Sequence, residues 1–299
     1  MKYLVLGGSS FYGSSFLNLL KEKGEKAEDY SRPQFDINRD SLKTGPDDVV
    51  VNFIAEAAHV ADSWNRPLDF LQTNVMGTCR LIEELCHQKL KLFLHVSTPE
   101  VHGSNASWIR ERRDYLPTTP YAVSRATADM MLRVYYKAYR FPVIITRTAN
   151  IYGRGQQDFR LIPKAFSTIS KGEKFTVDGR GASIRSFIHV KDACEGLYLL
   201  TKKGVLGETY HISTDQTHKV REVVSKICTI LKKDYAKVVQ YKKDRIGKDH
   251  SYLLNSDKIR ALGWREYINL DEGLREYYES DPAVAERRRS FSVETRKAL

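Results

Sequence analysis

Short apolar runs alternate with amphipathic stretches from the first residues of the chain. Tyr3-Leu4-Val5-Leu6 has the unbroken apolar character of a strand covered on both faces, and Val49 to Ile54, Leu92 to Val96 and Pro142 to Thr146 repeat it. Between them, Phe16, Leu17, Leu19 and Leu20 fall at helical spacing and stop at Gly24, and longer helical patterns cover about 66–88 and 121–139. Strand, helix, strand, repeated, predicts an α/β fold: a doubly wound parallel sheet, helices on both faces, right-handed crossovers.

After about residue 155 the rhythm loosens. Phe175 to Val177 and Thr209 to Ile212 read as short strands among helices at about 191–202, 219–232 and 271–279. We read 1–155 as the main domain, 156–285 as a smaller mixed α/β lobe whose strands and helices are free to cross over into the first, and 286–299 as a polar, basic tail. No Pro/Gly/Ser linker separates the two parts, so a shared interface is expected.

At 299 residues, 41% hydrophobic and 28% charged, the chain is neither a disordered polymer nor a coiled coil. No apolar run approaches the ~18 residues of a membrane helix. Met1-Lys2-Tyr3 leads straight into a strand rather than a signal peptide, and a cytoplasmic protein is expected. The four cysteines have no Cys-x-x-Cys spacing and the eight histidines no ligand spacing, so reduced thiols and no metal are expected. The net charge of +11 favours an anionic partner, either a phosphate-bearing small molecule or a nucleic acid.

Gly7-Gly8-Ser9-Ser10-Phe11-Tyr12-Gly13 separates the first strand from the first helix. There a tight turn brings backbone N–H groups and a helix N-terminus up to a pyrophosphate, with Gly7, Ser10, Phe11, Tyr12 and Gly13 as candidate dinucleotide contacts. The second strand ends near Ser31-Arg32. A cation there accommodates a 2′-phosphate, which leans the choice between NAD and NADP slightly toward NADP; Asp29 is the ribose acid if the strand register is shifted.

Further ordered motifs follow: Asp36-Ile37, Ala55-Glu56-Ala57-Ala58-His59-Val60, Thr73-Asn74-Val75-Met76-Gly77-Thr78, Ser97-Thr98-Pro99-Glu100-Val101-His102-Gly103, Pro120-Tyr121-Ala122-Val123-Ser124-Arg125 and Arg147-Thr148-Ala149-Asn150-Ile151-Tyr152-Gly153. The series resembles the extended short-chain dehydrogenase/reductases of the NAD-dependent epimerase/dehydratase type, most closely the dTDP-glucose 4,6-dehydratases, over Lys2 to about Trp264. The resemblance implies a Rossmann-type domain holding NAD(P), with Asp36 and Ile37 at the adenine and Ala55 and Asn74 also at the cofactor. It implies a nucleotide-diphosphate sugar as substrate, held by His59, Thr98, Asn150, Leu161, Arg185, Arg245 and His250.

By the same resemblance Tyr121 and residue 125 form the family's Tyr-x-x-x-Lys pair, with Arg125 in place of the lysine. The phenol takes a hydroxyl proton as hydride leaves, and Thr98 bonds the same hydroxyl. Glu100 matches the glutamate that removes the C5 proton. Pro99 stands where dehydratases carry the acid that protonates the departing 6-hydroxyl, and His102 stands in place of a tyrosine as a candidate donor. The expected reaction is 4,6-dehydration by transient oxidation at C4. The alternatives are a sister epimerase, decarboxylase or other dehydratase, or a non-catalytic or RNA-binding relative, although nucleic acid is not the expected partner. Apolar residues on more than one face of the helices at 66–88 (Leu81, Ile82, Leu85) and 121–139 (Met130, Met131, Leu132, Val134) predict a homodimer through a four-helix bundle.

Overall fold

The structure is a computed structural model, describing residues 1–57, 60–112, 114–244 and 246–280. Strands β1 (Lys2–Leu6), β2 (Lys26–Tyr30), β3 (Asp48–Asn52), β4 (Leu92–Ser97) and β5 (Val143–Thr148) lie parallel, in the order β5-β4-β3-β1-β2. Chain order reverses between β1 and β3, and this opens a crevice at the carboxyl ends of those two strands. Successive residues of β1 serve opposite faces. Tyr3 and Val5 pack with Phe16 under helix α1 (Phe11–Glu22); Leu4 and Leu6 pack with Leu81, Ile82, Leu85 and Leu132.

That second face is covered by α2 (Pro67–Leu71), α3 (Thr78–Leu85) and α4 (Pro120–Tyr139). The expected helix at 66–88 is present but broken, since a π-helical turn, Gln72–Gly77, joins α2 to α3. Thr119 caps α4 by accepting the N–H of Ala122, and Pro120 occupies its first turn, where no N–H is needed.

The remaining elements are β6 (Asn150–Tyr152), α5 (Leu161–Ser170), β7 (Phe175–Asp178), β8 (Ile184–Arg185), β9 (Phe187–His189), α6 (Val190–Lys203), β10 (Thr209–Ile212), β11 (His218–Lys219), α7 (Val220–Ile230), α8 (Tyr235–Val238), β12 (Val239–Lys242), β13 (Ser251–Tyr252), α9 (Asp257–Ala261) and α10 (Leu270–Ser280). A separate apolar cluster of Tyr152, Ile162, Phe166, Val223, Ile227 and Leu274 forms the core of the smaller lobe. Two of these elements cross back. Strand β10 pairs in parallel with β5 as the sixth strand of the main sheet, and Ala193 and Leu197 of α6 join the core beneath α1. The Thr209 to Ile212 strand therefore belongs to the first unit. Its four residues are buried, although β10 stands at one end of the six-strand order.

Candidate functional site

A cavity of about 490 Å³ opens at the carboxyl ends of the parallel strands. Ser10, Phe11 and Tyr12 line it after β1, Phe53 and Ala55 after β3, Ser97 to Glu100 at the end of β4, and Thr148 to Ile151 after β5. Tyr121 and Arg125 enter from α4, and Arg160, Leu161 and Tyr252 from the smaller lobe.

The glycine turn has the shape a pyrophosphate needs. Gly7 adopts φ +78°, and a Cβ on Gly13 would lie 2.3 Å from the Gly7 carbonyl oxygen. Ser10 Oγ donates to that carbonyl and accepts the N–H of Gly13, which fixes the start of α1. A dinucleotide phosphate fits at this helix N-terminus, with Ser10, Phe11 and Tyr12 beside it.

The end of β2 differs from expectation. Ser31 is buried: its hydroxyl accepts from Ser9 N–H and donates to Asp29 Oδ1 at 2.5 Å. Arg32 pairs with Asp36 at 3.3 Å, and the Asp36 carboxyl, bonded first by the N–H of Asn38, is held below its usual range. The lean toward NADP thus finds no support, because the cation is already matched by a carboxylate. Ile37 is 1% exposed as a whole residue, and its side chain packs against Gly77. Asn74 is also spent within the protein: it accepts from Glu56 N–H and donates to Glu56 O and Ser124 Oγ, clamping the loop after β3 onto α4.

The four catalytic candidates come together. Thr98 caps the 3₁₀ turn Pro99–His102 by accepting the N–H of Glu100 at 3.3 Å, and it lines the same cavity as Tyr121. Burial pushes the Tyr121 phenol up, Arg125 draws it down, Glu100 opposes ionisation, and Thr98 and Arg160 favour it. Arg125 is 1% exposed; its Nη2 donates to Val96 O at 2.5 Å and lies 3.2 Å from His95 Nε2, while Nε and Nη1 have no partner.

His102 lies outside the cavity. Its Nδ1 meets Asp114 O at 3.0 Å and its Nε2 accepts from Arg147 at 2.7 Å; burial and the Arg147 charge lower its pKa to about 4. It is a neutral, fully engaged ring and no proton donor. Of the substrate candidates, Asn150 and Leu161 line the cavity. Arg185 instead donates to the carbonyls of Ile184, His250 and Asp249 and stacks 4.2 Å over Tyr252. His250 is exposed, away from the cavity wall, with its N–H bonded to Ser104 Oγ. His59 and Arg245 lie outside the described residues. Among the cavity residues that escaped the sequence reading are Arg160 and Tyr252. Tyr252 donates to Asp249 Oδ2 at 2.7 Å, and Asp249 also accepts from Thr118.

The chain is similar to several known proteins. A trifunctional UDP-glucose 4,6-dehydratase/UDP-4-keto-6-deoxy-D-glucose 3,5-epimerase/UDP-4-keto-L-rhamnose-reductase of Arabidopsis thaliana is 32% identical over 243 residues, 79% of this chain but only 36% of that protein. The chain thus spans about a third of the length of that relative. The dTDP-D-glucose 4,6-dehydratase of Homo sapiens is 33% identical over 238 residues, 78% of this chain and 68% of its own. The structure of the dTDP-glucose 4,6-dehydratase DesIV of Streptomyces venezuelae, with NAD and TYD bound, superposes with a TM-score of 0.87 at 30% identity, covering 94% of this chain and 98% of that one. The family described as GDP-mannose 4,6 dehydratase matches residues 42–277, and the chain belongs to it.

Proposed function

We propose that the protein is an NAD-dependent nucleotide-sugar 4,6-dehydratase. The observation that carries this reading is the convergence of Thr98, Glu100, Tyr121 and Arg125 in one cavity that opens onto the glycine turn. NAD is the cofactor bound in the related Streptomyces structure. The Gly7–Gly13 turn and the unpartnered Arg125 donors suit its phosphates and ribose.

Bound nicotinamide supplies the hydride acceptor for C4 and returns the hydride later. The residues do the rest. Tyr121 takes the proton of the C4 hydroxyl, while Thr98 holds that hydroxyl and Arg125 stabilises the phenolate. Glu100, in the same cavity, removes the C5 proton once the C4 carbonyl has made it acidic. Tyr252 and Arg160 shape the side from which the sugar enters, and Arg185 supports Tyr252 from behind.

Pro99 favours a second reading. With no acid next to Glu100, loss of the 6-hydroxyl is unassisted there, and a sister reaction that uses the C4 ketone and Glu100 without elimination fits the same residues. Incubation with NAD and a panel of nucleotide sugars, followed by NMR, separates the two: a 4-keto-6-deoxy product supports dehydration, and an epimerised or decarboxylated sugar supports the sister reaction. No turnover with any sugar would return the protein to the non-catalytic class.

We also propose a homodimer, through a face different in part from that expected. Leu81, Ile82, Leu85 and Leu132 are buried within their own core and cannot serve it. Leu68 of α2, Met76 of the π-helical turn, and Val123, Met130 and Val134 of α4 are exposed on helices packed against one another. An apolar face of this kind suits a second copy of the chain. Among the described residues, no helix is long and apolar enough to cross a membrane.

A further inference from the structure

Tyr121, Arg125 and Asp129 lie one turn apart along one buried face of α4. At this spacing Arg125 and Asp129 are natural ion-pair partners. The structure pairs Asp129 elsewhere. Its Oδ2 lies 2.9 Å from Nη2 of Arg147, on β5, while its Oδ1 has no hydrogen-bond partner and sits 4.0 Å from His95 Nε2. Arg147 is held in place from several sides. It donates to His102 Nε2 at 2.7 Å, to Tyr115 Oη at 3.2 Å and to Arg112 O at 3.3 Å, and its guanidinium lies 5.3 Å from the Tyr115 ring centroid.

Arg125, Asp129, Arg147 and His95 are all at most 1% exposed. His95 and His102 are neutral, because burial and the neighbouring guanidinium groups both disfavour their charged forms. Within this buried group two arginine charges therefore face the one carboxylate of Asp129, and Arg125 is the arginine whose own hydrogen-bond partners, Val96 O and His95, are both neutral. An uncompensated buried charge is costly, and in a water-excluded setting its field acts strongly on its neighbours. The neighbour one turn back is Tyr121.

We propose that Arg147 is a positioning residue for the proton chemistry of Tyr121: by holding Asp129 it keeps that carboxylate away from Arg125, whose charge is left for the Tyr121 phenolate. This rests on Tyr121 being the proton acceptor. The groups facing Tyr121 are Arg125 and Arg160, which favour its ionised form, and Glu100, which opposes it. Asp129 is faced by His95, Arg147 and Tyr115; Arg147 is faced in addition by His102, Arg112, Glu111 and His211. Without Arg147, Asp129 is free to turn its unpartnered oxygen to Arg125 and cancel the charge that serves the phenol.

The test is a tyrosinate absorbance titration of the cofactor-free protein, taken as the difference from the same variant carrying Tyr121→Phe. Arg147→Met is expected to move the Tyr121 midpoint upward and to lower kcat at neutral pH about tenfold or more, with KM for the nucleotide sugar within about threefold. Arg147→Lys, which keeps the charge, should keep the wild-type midpoint. Asp129→Asn combined with Arg147→Met should bring the midpoint back, because no carboxylate remains to quench Arg125. A merely structural role predicts the opposite, a double variant worse than the single one. If Arg147→Met does not fold, Arg147→Gln removes the charge while keeping a donor to His102, and the same shift and the same rescue are expected of it. An unchanged midpoint in the folded single variant, or no recovery in the double, overturns the proposal. The titration needs no substrate, so a failure of the dehydratase reading would leave this result standing.

Discussion

Arg32 Nε and Asp36 face each other at 3.3 Å across the turn that follows β2, so the cation there is matched by a carboxylate of its own chain. A 2′-phosphate would have to compete with Asp36, and Asp29 stands against Gly8 close by. Arg32→Ala is therefore expected to change NAD and NADP affinity by similar, small factors, with NAD the tighter ligand throughout. Calorimetric titration of both dinucleotides checks this, and a selective loss of NADP would restore the phosphate reading of Arg32.

Tyr121→Phe and Glu100→Gln should fail at different steps. Loss of a positioned acid or base costs about 100- to 10,000-fold. Tyr121→Phe is expected to lose C4 oxidation by such a factor and everything after it. Glu100→Gln should still reduce the nicotinamide, read by its absorbance, while wash-in of solvent deuterium at C5, read by NMR, falls by a comparable factor. Deuterium entering C5 at the wild-type rate in Glu100→Gln would remove Glu100 from the role of base.

Pro99 sits in the first turn of the 3₁₀ segment, where an N–H is not required, so Pro99→Asp disturbs little backbone hydrogen bonding. If the protein eliminates the 6-hydroxyl, Pro99→Asp should speed that step and leave C4 oxidation unchanged. Single-turnover kinetics with separate readouts for reduced nicotinamide and 4-keto-6-deoxy product would show it.

The exposed face of α2 and α4 predicts the oligomeric state. Light scattering at micromolar concentration should give twice the chain mass, and Met130→Lys with Val134→Glu should give the monomer. A wild-type monomer would sink the four-helix arrangement.

His102 gives a stability prediction with a definite sign. Its pKa is about 4 in the fold, against about 6.5 in an unfolded chain, so the unfolded state binds the extra proton first as pH falls. Its contribution is fully present above about pH 6.5 and is lost as pH drops toward 4. At pH 5 the loss is about 2 kcal/mol from this group alone. Urea melts at pH 7 and pH 5 should show the difference, reduced in His102→Gln.

The parallel strands are legible in the sequence because strands buried on both faces must be unbroken apolar runs, as Val49 to Val51 and Phe93 to Leu94 are. Thr98, Glu100, Tyr121 and Arg125 can be located because each falls in a short ordered motif. The candidates that the structure places off the cavity wall share a cause. Ser31, Asn74 and Arg185 are polar residues in the right motifs whose donors and acceptors are taken by the protein, and pairing across long sequence separations leaves no local mark. Asp129 carried a usable signal, the repeat of four residues from Tyr121 through Arg125. Its partner Arg147 lies on another strand, and no periodicity announces that contact. The return of β10 to the main sheet is hidden for the same reason: Thr209 to Ile212 looks alike in either lobe.

With no strand beyond it among the described residues, β2 leaves a row of backbone groups unpaired along the sheet's rim. Such a rim is an invitation to strand addition and so to self-association. Its residues Lys26, Glu28 and Asp29 are charged, and Lys2 binds Glu28 across to β1 at 2.8 Å. Any chain docking there would have to strip water from these charges. The sheet thus ends on a strand whose chemistry discourages a seventh, and replacing Lys26 and Glu28 with threonine, with Asp29 kept because it holds Ser31 beneath the glycine turn, should make the folded protein aggregate along this rim.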